Sequence, residues 1–226
     1  MLSKLKENKL YLILSLLFFL LFILLVILLL TVDKKEVDGS MLGLATINLG
    51  ILNTFKGNKV CDKISDLILV LSFLNVLAFF ILGIIKLIKN KSLDLELVIL
   101  GAFYIILGII YLVFDHIHFN YAPLLYNDEV KESFPSSHVL ASLFIFLSSI
   151  FIYLSKLNKG VFRNLLIIES SLFILLMLVF RMLSGAHYFT DILGSIFLVC
   201  ALNFLYVLII NMLDKKEIVF GKKNEA

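Results

Sequence analysis

The sequence predicts an all-α, polytopic integral membrane protein of six transmembrane helices, with an interfacial or re-entrant helix in the first external loop. Three observations carry that expectation. Hydrophobic residues make up 61% of the 226-residue chain and charged residues only 16%, against about 45–50% and about 25% in soluble domains. The mean hydropathy is +1.06. Apolar runs recur along the whole chain, several of them reaching the roughly 20 residues that a helix needs to cross a bilayer. No separate soluble domain fits between them, so residues 1–226 read as a single membrane domain.

The first run, Leu10 to Val32, is too long for the core of a cleaved signal peptide, and no small-residue cleavage site follows it. It is a span, over about residues 10–32. Segment 33–65 is polar to mixed but contains the apolar stretch Met41–Phe55, interrupted by Gly43, Asn48, Gly50 and Asn53. At about 15 residues that stretch is short for a span and reads as a helix lying at, or re-entering, the interface. The next spans cover about 67–87 and 95–114, separated by Lys86, Lys89 and Lys91. A polar loop, 115–135, holds Asp115, His116, His118, Pro123, Asp128, Glu129, Lys131 and Glu132. The last three spans cover about 138–155, 164–183 and 187–213. Gly83, Gly101, Gly108 and Gly194 suggest close helix contacts, and Asn75 and Asn203 interhelical hydrogen bonds. Cys61 near a boundary and Cys200 deep in the last run are too far apart in depth for a disulfide.

Basic residues orient the bundle. With the N-terminus in the cytoplasm, that face collects Lys4, Lys6, Lys9, Lys86, Lys89, Lys91, Lys156, Lys159, Arg163, Lys215, Lys216, Lys222 and Lys223, thirteen of the twenty Lys and Arg residues. Both termini are therefore expected inside, and the polar islands described next on the extracytoplasmic face. A formal charge of +3 is too small to suggest a nucleic-acid partner. The oligomeric state is not encoded legibly.

Two polar islands interrupt the apolar pattern. The first is Phe134-Pro135-Ser136-Ser137-His138, at the start of span four. Pro135 suits a first helical turn, where its missing amide proton is not needed. Ser136 and Ser137 offer amides and hydroxyls to an anion at the helix N-terminus. The second island runs from Arg181 to Asp191. Arg181 supplies a permanently charged planar fork for phosphate oxygens. The four-residue spacing of His187 and Asp191 places imidazole and carboxylate on one helical face. The carboxylate can then fix the ring tautomer and leave the other nitrogen nucleophilic. With His138 as proton donor, these are the parts for phosphoryl transfer through a phosphohistidine, with fixed positive groups in place of a metal. Asp115, His116 and His118 could bind a metal with His138 or His187 only if their segment were extended, and they read as solvated loop residues. Glu169, two turns inside span five, is close enough to the cytoplasmic end to reach Arg163 or water.

Pro135-Ser136-Ser137-His138 resembles the second signature, Pro-Ser-Gly-His, of the type 2 phosphatidic acid phosphatase (PAP2) superfamily. Arg181-x5-His187-x3-Asp191 resembles the third, with Phe180 in place of its serine. Tyr121 to His138 and Arg181 to Ser195 look like a Firmicutes branch of that superfamily. The resemblance implies that His187 is the nucleophile, Asp191 its orienting partner and His138 the acid that protonates the leaving group. It implies that Arg181, Ser136 and the amide of Ser137 hold the phosphate, with no cofactor. The first signature, Lys-x6-Arg-Pro, is degenerate: anchored on Pro123, it has Asp115 in place of the lysine and Ala122 in place of the arginine. Lys131 is the nearest substitute cation. The implied function is a membrane lipid phosphatase acting on a lipid phosphate or pyrophosphate. The alternatives are a lipid phosphotransferase with the same site and a non-catalytic binding protein.

Overall fold

The computed structural model describes residues 2–37, 39–117, 119–123, 132–213 and 217–219. The chain runs α1 (Leu2–Thr31), β1 (Lys35–Val37), β2 (Ser40–Leu42), α2 (Ala45–Phe55), α3 (Lys59–Asn90), β3 (Ser92–Asp94), α4 (Leu95–Phe114), α5 (Ser137–Lys156), α6 (Val161–Ser184), α7 (Phe189–Met212) and β4 (Glu217–Val219). Among the described residues, six helices are long and apolar enough to cross a membrane: α1 and α3 to α7. They alternate in direction. The starts of α3, α5 and α7 therefore meet the ends of α1, α4 and α6 at one end of the bundle, called the site end below.

Burial is uneven, and the sequence explains why. More than half of the apolar stretch of α5 and of α7 is buried (61% and 56%), against 22% or less in the other four helices. Ser142, Ser148 and Ser149 of α5 are fully buried, each hydroxyl donating to a carbonyl of its own helix. Small side chains that satisfy themselves in this way let neighbouring helices come close. α1 lies along α7 and is tied there by Ser15 Oγ, which donates to the Ala201 carbonyl at 2.9 Å. Most other large side chains of α1, α3 and α6 face outward, as lipid-exposed helices require.

The site end is organised by Phe134, which packs against Phe22, Phe114 and Phe119 at centroid distances of 5.7 to 6.3 Å. Gly194 of α7 makes room for it, since a Cβ there would overlap the Phe134 ring. This close contact matches the expectation for Gly194; Gly83, Gly101 and Gly108 do not. Nothing lies within 4 Å of where their Cβ atoms would be. They border apolar grooves of about 740 and 390 Å³ between α3 and α4, the smaller of which reaches Tyr111, Ser137 and His138. Tyr153 of α5 donates to Asn75 of α3 at 3.0 Å, an interhelical bond as expected, whereas Asn203 donates to Val199 within its own helix.

Three boundaries at the site end differ from the sequence expectation. α3 starts at Lys59 rather than near residue 67, because Asn58 caps it, accepting from the amides of Val60 and Cys61. The added turns are polar enough to look like loop and carry Asp62, Ser65 and Asp66. The expected interfacial helix from Met41 begins instead at Ala45, after an antiparallel β1–β2 hairpin. Gly43 passes so close to the Leu29 backbone that no side chain fits there. Finally, α5 starts at Ser137 with Ser136 as N-cap, so Pro135 precedes the first turn rather than occupying it.

The opposite end is closed by charge. Lys156 reaches Asp94 at 2.7 Å and Glu96 at 3.0 Å, and Lys86 reaches Asp94 at 3.4 Å. Burial pushes the Asp94 carboxyl up, but the two lysines outweigh it and hold the group below its usual value. β3 and β4 pair antiparallel beside this cluster.

Candidate active site

At the site end a pocket of about 530 Å³ opens between α3, α4, α5 and the α6–α7 turn. Arg181, from the last turn of α6, lies at its base and is only 6% exposed. Its Nη1 donates to Asp62 Oδ1 at 2.6 Å and to Ser65 Oγ at 3.1 Å, while Nη2 lies 3.4 Å from His138 Nδ1. Its buried Nε meets no hydrogen-bond partner among the described residues. His138, in the first turn of α5, places Nε2 2.9 Å from Asp66 Oδ1. One turn of α3 thus supplies both carboxylates, Asp62 to the arginine and Asp66 to the histidine.

His187 and Asp191 also meet, but not on a helical face. α7 begins at Phe189 with Tyr188 as N-cap, so His187 lies outside the helix. Gly185, in the left-handed region at φ 69°, ends α6 and turns the chain. Asp191 Oδ2 accepts the Tyr188 amide at 3.0 Å and lies 3.5 Å from His187 Nδ1. The second carboxylate oxygen accepts from Asn120 Nδ2 at 3.3 Å. Asn120 in turn accepts the Gly43 amide, and Asn48 of α2 bridges the Gly43 carbonyl and Thr190. Asp191, Asn120 and Asn48 have no exposed surface. The loop after α4 and helix α2 are therefore the scaffold that fixes Asp191. Burial, followed by the nearby Arg181 charge, holds the His187 imidazole below the ordinary histidine value, against the opposing pull of Asp191. The neutral form of the ring is thus favoured.

Arg181, His138, His187 and Ser137 line the pocket, with Asp191 directly behind His187. Ser137 Oγ lies 3.5 Å from His138 Nδ1. Ser136 is fully buried, its amide donating to the Asp191 carbonyl at 3.1 Å, and it does not line the pocket. Lys131 and His118 lie outside the described residues. His116 folds back onto its own helix, with Nδ1 2.8 Å from the Leu112 carbonyl. Asp115 and Ala122, which stand at the lysine and arginine positions of the degenerate first signature, both line the pocket. Asp62, Asp66, Asn48, Asn120 and Thr190 were not anticipated. Asp62 and Asp66 carry a legible signal, a carboxylate pair at i and i+4 opening an apolar run, but the asparagines join three separate segments and carry none.

The architecture and the site together define a six-span helical membrane protein with a buried arginine, two histidines and an aspartate converging on one pocket. Residues 120–215 match the model of the PAP2 superfamily. The fold is similar to the crystal structure of a transmembrane PAP2-type phosphatidylglycerolphosphate phosphatase from Bacillus subtilis. The TM-score is 0.59 and the identity 19%, over 89% of this chain and 98% of that one. No curated protein matches this chain.

Proposed function

We propose that the protein is a lipid phosphatase that hydrolyses a lipid phosphate or pyrophosphate at the extracytoplasmic face through a phosphohistidine. The observation that carries this reading is the convergence of Arg181, His138 and His187 on one pocket, with Asp191 3.5 Å behind the His187 ring. A proton on Nδ1, directed at Asp191, leaves Nε2 as the attacking atom. The His187–Asp191 contact is longer than a formed hydrogen bond, and it tightens when substrate engages the ring. Attack by Nε2 on phosphorus breaks the P–O bond to the leaving group. The electron pair leaves on that oxygen, which takes a proton from His138. Water then attacks the phosphohistidine, His138 accepts its proton, and phosphate departs from a neutral imidazole. Arg181 and the amides opening α5 face the equatorial oxygens. Lys131, four residues before Pro135, is the candidate for a second phosphate cation.

The α3–α4 groove supports a lipid substrate, because its apolar walls end at His138 and Ser137. A chain lying there would present its head group to the pocket. The basic-residue asymmetry supports cytoplasmic termini and a site outside.

The decisive test is phosphate release from lipid monophosphates and pyrophosphates by purified protein, compared with His187→Ala. Turnover in the parent and its loss in a folded alanine variant are expected. Near-normal activity in His187→Ala would refute the phosphohistidine. One observation favours a second reading: Asp62 and Asp66 already occupy Arg181 and His138, as in a site that binds without turning over. Saturable binding of lipid phosphate with no release in the parent would establish that reading instead.

A further inference from the structure

His138 is held at both ring nitrogens, and the two contacts decide where its proton sits. Nε2 lies 2.9 Å from Asp66 Oδ1. Nδ1 lies 3.4 Å from Arg181 Nη2 and 3.5 Å from Ser137 Oγ. A guanidinium donates hydrogen bonds and accepts none, so the nitrogen that meets it is the bare one. The single proton of the neutral ring is therefore on Nε2, directed at the carboxylate. The arrangement parallels His187, whose Nδ1 faces Asp191 and whose other nitrogen is left for chemistry.

Asp66 owes its place to the start of α3. The Asn58 amide donates to the Ser184 carbonyl at 3.1 Å, tying that start to the end of α6. Asp62 and Ser65 both accept from Arg181 Nη1, which fixes the rotation of the first turns. Asp66 follows Asp62 by four residues and shares its helical face. Its side chain is 56% exposed, and a pair so open to solvent adds little to folding. Charged and titratable groups reach the ring from three sides: Asp62 and Asp66 from α3, Arg181 from α6 and His187 from the α6–α7 turn. Arg181 repels a positive charge on the ring, and Asp66, in direct contact with it, balances that repulsion.

We infer that Asp66 is a positioning residue for His138: it anchors Nε2–H and makes Nδ1 the nitrogen that passes protons to and from the reacting oxygens. This role rests on the phosphatase reading and assigns the atom at which its acid–base step occurs. With a phosphate on Arg181, the charged ring carries a proton on each nitrogen. The Nδ1 proton passes to the leaving oxygen as the P–O bond breaks, and the neutral ring keeps its Nε2–H on Asp66. When water attacks the phosphohistidine, its proton goes to Nδ1 and the charged ring is restored. The carboxylate stays unprotonated throughout.

The test compares the full-length parent, Asp66→Asn and Asp66→Glu in detergent micelles on two substrates. One is a long-chain alkyl phosphate and the other a nitrophenyl phosphate carrying the same chain. An alkoxide has to be protonated as it leaves, whereas a nitrophenolate is stable without a proton. General acid catalysis is typically worth about 10²–10⁴-fold, so Asp66→Asn should lose about tenfold more kcat/KM on the alkyl ester than on the nitrophenyl ester. Asp66→Glu should recover part of that difference. Equal losses on both esters overturn the inference, because a merely loosened site does not distinguish leaving groups. A gain on the alkyl ester also overturns it, marking Asp66 as a block. Imidazole 15N spectra, with His138→Gln to assign the signal, need no turnover. At neutral pH the parent should carry the proton on Nε2, and Asp66→Ala should spread it over both nitrogens. A parent proton on Nδ1, or a parent-like spectrum in Asp66→Ala, overturns the anchoring. If the parent releases no phosphate yet shows the Asp66-dependent tautomer, the anchoring stands and the phosphatase reading falls.

Discussion

Arg181→Lys separates the geometry of the arginine from its charge. The guanidinium makes two bonds toward α3, to Asp62 at 2.6 Å and Ser65 at 3.1 Å, and still has Nε to offer a phosphate. A lysine keeps the charge but condenses it to one ammonium, which cannot hold Asp62 and grip a phosphate oxygen in the same fork. Hydrogen bonds to charged groups contribute about 1.5–3 kcal/mol each. Two lost at the lower figure amount to about 3 kcal/mol, or on the order of a hundredfold in kcat/KM. Folding should suffer far less. Asp62 is 32% exposed, so solvent can take over its charge, and partly exposed pairs contribute about 0–1 kcal/mol. The assay is phosphate release from a lipid phosphate in micelles, with the melting temperature of each variant measured in the same detergent. A lysine variant within threefold of the parent, at unchanged Tm, would refute the claim that the fork grips phosphate.

Three further outcomes are expected. Because burial and Arg181 depress the His187 pKa, the acid limb of kcat/KM should fall below the ordinary histidine value of about 6.5. In the window between the two values the unfolded chain binds a proton that the folded site refuses, so stability should rise with pH; an acid limb at or above 6.5 would contradict this. Gly194→Ala should lower stability by about 1–3 kcal/mol through overpacking, since Phe134 is locked in its aromatic cluster and cannot yield; an unchanged Tm would show that the ring moves. Met41→Cys should label with an impermeant thiol reagent from outside intact cells and Asn158→Cys should not, the reverse pattern placing the site in the cytoplasm.

The spans were legible because their signal is compositional: twenty apolar residues in a row need no knowledge of partners. α4, an apolar run bounded by Asp94 and Asp115, falls on the expected residues 95–114. α3 was misjudged at its start because Lys59, Asp62, Lys63 and Asp66 dilute the apolar run, although Asn58 marks a helix start on its own. The candidate site was legible where its members lie close in sequence, as His187 and Asp191 do. The elements behind them were not. Asn48, Asn120 and Thr190 come from α2, a loop and α7, and their convergence is a property of the tertiary fold. The glycines of the α3–α4 seam misled for a related reason. A missing side chain can admit a neighbouring helix or leave a vacant groove, and local sequence is the same in both cases.

That groove has a consequence for how a substrate would be chosen. It is open along its side, so a hydrocarbon chain in it exchanges one apolar surrounding for another as it moves in from the bilayer. Lengthening the chain by a methylene adds almost nothing to binding, because that methylene was already out of water. Discrimination then rests on the few polar atoms at the mouth. The relevant concentration is the mole fraction of substrate among its neighbouring lipids, and every abundant lipid of the same leaflet dilutes it.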